Sequence, residues 1–192
     1  MDFDERGMVE RVRRGENAAA VEFIDLYYER IYAFLRRLAG TDADAADLTQ
    51  RVFTRVWQAL PNYAGRSSLG SWLHGIAYHI YVDWVRGNHR VESRPDEWWE
   101  HRVSPQLSPA EIAVHNDLRA KVYASVDKLA PEVRDTIHLH YYQGLTLEET
   151  ATAMGISAST VKYRLRQGVG ELEQKLNSTA PLPNTRTQFI RI

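Results

Sequence analysis

Val21, Ile24, Tyr28, Ile31, Leu35 and Leu38 recur every three or four residues, the spacing of one apolar stripe along a long helix. Gly40 stops that helix, and Asp42 or Asp44 is placed to cap the next. There Leu48, Val52, Val56 and Leu60 form the stripe, with Phe53 and Trp57 beside it, as far as Pro61. After the loop "NYAGRSSLGS" a third stripe runs through Leu69, Trp72 or Leu73, Ile76, Ile80 and Trp84. No one of these helices has enough apolar surface to fold alone, so the pattern predicts a bundle.

Residues 87–107 show no sustained period, contain two prolines and carry the acidic-aromatic knot "DEWWE", which reads as a linker. Ser108-Pro109-Ala110-Glu111 then matches a capping box with proline at the first helical position. Val114, Leu118, Val122 and Val126 mark the helix that follows. Another starts at Pro131, carries Val133, Ile137 and Tyr141, and stops at Gly144. Thr146 and Glu149 form a second capping box, Gly155 supplies a turn, and Val161, Leu165, Val169, Leu172 and Leu176 stripe a last helix. With no repeat and no convincing strand, the fold class is all-α, in two helical blocks.

The chain has 192 residues, room for one domain or two small ones. It has no cysteine, which excludes disulfides and thiolate metal sites and makes the cytosol the simplest expectation. No apolar run reaches the length of a membrane span, and the N-terminus lacks the apolar core of a signal peptide. Net charge is only −1, but it is unevenly spread. Residues 1–50 hold seven Arg against eleven Asp/Glu, whereas 64–94 hold four Arg against Asp83 and Glu92. A chain that meets both a protein partner and DNA can be divided this way.

Candidate chemistry is sparse. His138 and His140 sit two apart on a helix, and His74 and His79 five apart, both poor geometry for a shared metal. No nucleophile-base pattern or phosphate loop appears, so no enzyme, metal or cofactor is expected. The informative stretch is "LTLEETATAMGISASTVKYRLRQG", a short helix, a glycine turn and a second helix. Once Val161 and Leu165 turn inward, Ser157, Ser159, Thr160, Lys162, Tyr163, Arg164 and Arg166 remain near the start of the second helix. Such side chains bond phosphates and base edges, as in a helix-turn-helix reader. The plain alternative is a helical hairpin with a solvated basic face.

A second stretch, "GRSSLGSWLHGIAYHIYVDWVRGNHR", interleaves aromatic and basic residues. If Trp72, Leu73, Ile76 and Ile80 are core, then His74, Tyr78, His79 and Tyr81 lie partly or wholly outside, followed by Arg86 and Arg90. Rings that stack bases beside cations that follow a backbone suit single-stranded nucleic acid.

With these motifs in order, the chain resembles the extracytoplasmic-function (group IV) sigma factors of bacterial RNA polymerase, in the sigma-70 family, over roughly residues 5–176. "DAADLTQRVFTRVWQAL" resembles the region two segment that docks on the polymerase clamp helices. "SWLHGIAYHIYVDWVR" resembles the helix that meets the melted minus-ten element. "LAPEVRDTIHLHYYQGLTLEETATAMGISASTVKYRLRQGVGEL" resembles region four, which reads the duplex minus-thirty-five element.

The resemblance implies region two over 1–90, a flexible linker over 91–108, region four over 109–177 and an unassigned tail over 178–192. It implies a cytoplasmic, non-enzymatic initiation factor with no cofactor and no membrane insertion. Its partners would be core polymerase (clamp helices and flap), promoter DNA and an anti-sigma factor. Asp47, Leu48, Gln50, Arg51 and Thr54 would meet core polymerase. Arg66, Ser67, Ser68, His74, Tyr78, His79 and Arg86 would meet the minus-ten strand, and the set from Ser157 to Arg166 the upstream element. The acids of Asp96–Glu100 would lie in a positive channel of polymerase. Departures are specific: Tyr78-His79 stands where many relatives carry Arg-Asn, and Arg51 where an acid commonly follows. Gly168 and Gly170 each cost the last helix about 1 kcal/mol of propensity, so its end is expected to fray. The competing readings are an autonomous helix-turn-helix regulator and a pure protein adaptor.

Overall fold

A computed structural model describes residues 4–87 and 120–179, with side chains as far as residue 176. The capping pattern at 108–111, the linker over 91–108 and nearly all of the tail lie outside those residues. Among the described residues every regular element is helical: α1 (Glu5–Arg13), α2 (Asn17–Ala39), α3 (Asp42–Ala59) with a 3₁₀ turn at Leu60–Asn62, and α4 (Leu69–Gly87). Helical residues 120–127 (α5), α6 (Pro131–Ile137), a π-helical turn at His138–Tyr142, α7 (Leu147–Met154) and α8 (Ala158–Thr179) follow. No helix among them is long and apolar enough to cross a membrane.

The chain folds as two units, and residues 138–161 pack with α1–α4 rather than with α5 and α6. In the first unit, Phe23, Ile31, Phe34, Leu35 and Leu38 of α2 meet Leu48, Val52 and Val56 of α3 and Leu69, Leu73 and Ala77 of α4. Each large side chain so buried contributes about 1.5–3 kcal/mol. Leu139, Leu145, Ala153 and Met154 complete the same core from the far end of the sequence. The corner between α2 and α3 is pinned by Gly40 at φ +91° and by Arg36. The Arg36 guanidinium donates to Asp42 at 2.6 Å and to the Gly40 carbonyl at 2.5 Å. Thr41 caps α3 by accepting from the Asp44 backbone N–H.

Three stripes differ from their sequence pattern: Tyr141 and Val169 lie at the surface, and the stripe on α2 differs in its first half. Val21, Ile24 and Tyr28 face outward, with Val21 58% exposed, while Phe23 and Tyr27 turn in. The first half of α2 is apolar on several faces, and the larger rings take the interior. Phe23 lies 5.3 Å from the Trp57 ring and edge-on to Phe53 at 6.4 Å. From Ile31 onward the predicted positions are the buried ones.

In the second unit, Val126, Leu129, Val133, Ile137 and Leu165 are buried among α5, α6 and α8. The helix α8 does not end at its glycines and runs to Thr179. Gly168 is the point at which it meets α6.

Candidate nucleic-acid and polymerase interfaces

The loop before α4 is tied at both ends to α1. The Arg13 guanidinium donates to the carbonyls of Leu60 at 3.2 Å and Tyr63 at 2.5 Å. Glu5 accepts from the Leu69 backbone N–H at 2.8 Å, at the start of α4. Gly65 adopts φ +66°, and the Tyr63 hydroxyl donates to the Ser67 carbonyl at 2.6 Å. Ser68 accepts from the Ser71 N–H at 3.2 Å, capping α4, and shares a 2.7 Å bond with the Ser71 hydroxyl. This leaves Arg66 exposed on a shaped loop, with Ser67 half-buried behind it.

Along α4 only part of the expected outer face is outside. His79 and Arg86 are exposed, Arg86 lying 3.6 Å from Asp83. His74 is 1% exposed and Tyr78 9%, and Tyr81 is buried as well, contrary to the pattern-based expectation. The reason is that α4 packs on two sides, against α2 and α3 on one and α7 on the other. A single-stripe reading of the sequence allows for only one. The His74 ring stands edge-on to Phe34 at 5.3 Å. Its Nδ1–H donates to the Gly70 carbonyl at 2.7 Å, and Nε2 lies 3.1 Å from the Gln143 side-chain amide. Both ring nitrogens face oxygens, the Gly70 carbonyl and Gln143 Oε1, so a doubly protonated ring would donate to each. Burial holds the His74 pKa below the ordinary histidine value, against the hydrogen bonds to Gly70 and Gln143.

Glu149 and Gln143 contact the start of α4, contacts that sequence reasoning missed. Glu149 accepts from the Thr146 N–H at 2.9 Å, closing the predicted capping box, and also from the Ser68 hydroxyl at 3.0 Å. Burial pushes its carboxyl up, but hydrogen bonds from Ser71, Thr146 and Ser68 outweigh that and hold it below the ordinary glutamate range. The Thr146–Glu149 spacing is legible as a cap; nothing in the pattern signals the bond across to Ser68.

The helix-turn-helix has the expected form. Gly155 turns the chain at φ +66°, a left-handed conformation suited to glycine. Ser157 caps α8 by accepting from the Thr160 N–H at 3.2 Å and bonds the hydroxyls of Ser159 and Thr160, each at 2.8 Å. Val161 and Leu165 are buried. Ser159, Lys162 and Arg166 are exposed, Arg164 and Thr160 are half-buried, and Tyr163 projects with 67% exposure. Hydroxyls, cations and a ring are thus offered by one outer face.

On α3, Asp47, Gln50, Arg51, Thr54, Arg55 and Gln58 line an open groove of about 350 Å³. Arg51 and Asp47 pair one turn apart at 2.7 Å. Leu48 does not share this face: it is fully buried, so its place is in the core beneath the groove and not on the docking surface.

Residues 23–91 match the sequence profile of sigma-70 region 2, and residues 119–172 that of sigma-70, region 4. The chain is 32% identical over 156 residues to the ECF RNA polymerase sigma factor SigX of Bacillus subtilis, a match covering 79% of this chain and 80% of that one. It is also 32% identical over 157 residues to the ECF RNA polymerase sigma factor SigE of Mycolicibacterium smegmatis, spanning 81% of this chain but only 60% of the relative's length. Among solved structures, CnrH in complex with the cytosolic domain of CnrY aligns with TM-score 0.66 at 18% identity, over 92% of this chain and 99% of that one. The sigma factor RpoE in complex with the anti-sigma factor NepR from Bartonella quintana gives the same score and identity over 83% and 97%. These structures share the all-α fold. The order of regions and the identity with SigX place the chain in the family of ECF RNA polymerase sigma factors.

Proposed function

We propose that the chain binds core RNA polymerase and directs it to promoters, with α3 docking on the clamp helices, the loop 64–71 and α4 meeting the melted minus-ten strand, and α8 reading the upstream duplex. In this reading residues 1–90 act as region two and 109–177 as region four, with a flap contact from the latter. The protein works in the cytoplasm, without catalysis of its own, and is held in check by an anti-sigma factor. The observation that carries the reading is the pairing, in one chain, of an exposed face of hydroxyls, cations and a ring on α8 with an exposed polar groove on α3. A free-standing repressor needs only the first.

Magnitudes explain why the partner is required. Opening about ten base-pair steps costs on the order of 14 kcal/mol, at about 1.4 per step. Stacking one base on a ring returns about 1–3 kcal/mol. A small domain holding one or two bases cannot melt a promoter, but it can choose where polymerase melts it. Copurification with core polymerase followed by transcription from a cognate promoter tests the reading. A chain that binds promoter duplex tightly but never associates with core is an autonomous regulator instead.

A further inference from the structure

We infer that Arg6 of α1 belongs to the strand-capture site. Beside Gly65 it supplies a second cation to that of Arg66, so a phosphate of the melted strand is held from α1 as well as from the loop. The inference rests on the proposed role of the loop 64–71 in holding that strand.

The place of Arg6 is set by its helix. Met8 and Val9 seat α1 in the core. Glu5 holds the Leu69 N–H at 2.8 Å, and Arg13 holds the carbonyls of Leu60 and Tyr63. Both ends of the loop are thus tied to one helix, which brings Arg6 against Gly65. An added Cβ at Gly65 would stand 4.0 Å from Arg6 Nε. Gly65 is at φ +66°, where a side chain is strained, so bare backbone faces the Arg6 guanidinium. Arg66 is the next residue of the loop and is exposed.

The other charged side chains of α1 are engaged. Besides the Leu69 N–H, Glu5 accepts from the Tyr27 hydroxyl at 3.4 Å. Glu10 pairs with Arg13 at 2.6 Å, and Arg11 with Glu16 and Glu22, each at 3.1 Å. Asp4 caps the helix by accepting from the Gly7 N–H at 2.8 Å. Arg6 is exposed, and among the described residues no carboxylate pairs with it. Its guanidinium is therefore available to an outside anion, and the planar fork suits phosphate oxygens through paired N–H bonds. At the far end of the loop the Glu149 carboxylate bonds Ser68 at 3.0 Å. Its negative charge disfavours a second anion there, so the favoured place for a phosphate is the Gly65 end, beside the two arginines.

The test uses the full chain assembled with core polymerase, on a bubble template of a cognate promoter. Arg6→Ala should lower affinity for the template several-fold. It should also reduce the slope of log affinity against log salt by about 0.7, the value for one phosphate contact on a single strand. Arg6→Lys keeps the charge and should keep the slope near wild type. Core binding and melting temperature should not move, because Arg6 is exposed and alanine is at home in a helix. Methylphosphonate substitution, which neutralises the captured strand one phosphate at a time, should find a position that weakens wild type but leaves Arg6→Ala unaffected. If Arg6→Ala keeps the wild-type slope and phosphate sensitivity while Arg66→Ala is impaired, the Arg6 contact is overturned and the role of the loop stands. If both variants match wild type, the role of the loop fails and the Arg6 contact falls with it.

Discussion

Gly168 lies so close to α6 that a Cβ there would come within 2.6 Å of Ile137 Cδ1 and 2.8 Å of Val133 Cγ1. The Ile137 methyl can swing aside, but the β-branched Val133 is stiff. This glycine is a packing point, and the helix continues past it. Gly168→Ala should therefore destabilise the protein by about 1–3 kcal/mol of overpacking, against a propensity gain of about 1. Gly170, with nothing within 4 Å of its added Cβ, should respond oppositely, Gly170→Ala gaining up to about 1 kcal/mol. Paired chemical denaturation of the two variants checks the contrast; equal effects would contradict it.

The clamp contact is tested on α3. Asp47 and Gln50 point into the open groove, clear of the core. Asp47→Arg with Gln50→Ala should weaken affinity for core polymerase at least several-fold while leaving helicity and melting temperature near wild type. Leu48→Ala should instead destabilise by about 2–5 kcal/mol, because it empties a fully buried site. Titration of labelled protein with core polymerase, beside circular dichroism, distinguishes the two outcomes.

For the upstream element, Lys162→Ala or Arg164→Ala should lower holoenzyme binding to promoters that carry it. Removing one cation that neutralises a phosphate should reduce the slope of log affinity against log salt by about 0.9. Binding measured across a salt series is the check; an unchanged slope in both variants removes α8 from the DNA interface.

Strand capture is expected to depend on Arg66 and His79, exposed groups of the loop and of α4. Arg66→Ala and His79→Ala should impair open-complex formation on duplex promoters, and much of the defect should persist on pre-melted bubble templates. Core binding should be unaffected. Wild-type opening by both variants would remove these residues from the site.

Below neutral pH, His74 should make the fold less stable. Its pKa in the fold is below the ordinary 6.5, because burial disfavours the cation, with Arg30 adding to the effect. The unfolded chain takes up the proton first as pH falls. The stability contributed by neutral His74 is therefore complete above pH 6.5 and is lost as pH drops through the lowered native value. Melting temperature should fall as pH drops below 6.5, and His74→Gln should flatten that part of the dependence.

Much of this is legible in the sequence because helices announce themselves by period and caps. Thr146 with Glu149, Gly155, and the inward Val161 and Leu165 are where the pattern puts them. The misplacements share one physical origin. Periodicity identifies a buried stripe only when a helix has one buried side. On α2, apolar residues on several faces compete and the largest rings win, which turns Val21 outward and Phe23 inward. On α4, a segment from far along the chain packs as a second cover, with Gln143 at His74 and Ala153 of α7 at Gly75. Gly75 is the trace of that second packing side, but a lone mid-helix glycine does not say which segment comes close.

The tether between Glu5 and Leu69 has a consequence for the nascent chain. At nine residues, α1 is shorter than the about 12–15 that an isolated helix needs to persist. Its anchors come late: Leu60 and Tyr63 follow Arg13 by 47 and 50 positions, and Leu69 follows Glu5 by 64. At about 5–20 residues per second, the ribosome needs roughly 3–13 s to deliver that last backbone N–H after Glu5 has been made. Through that interval α1 has its contacts with α2, such as Arg11 to Glu22, but not its tether to the start of α4. The helix α1 is thus fully secured only after the start of α4 has been made, and a stalled chain ending before α4 lacks the Glu5–Leu69 tether.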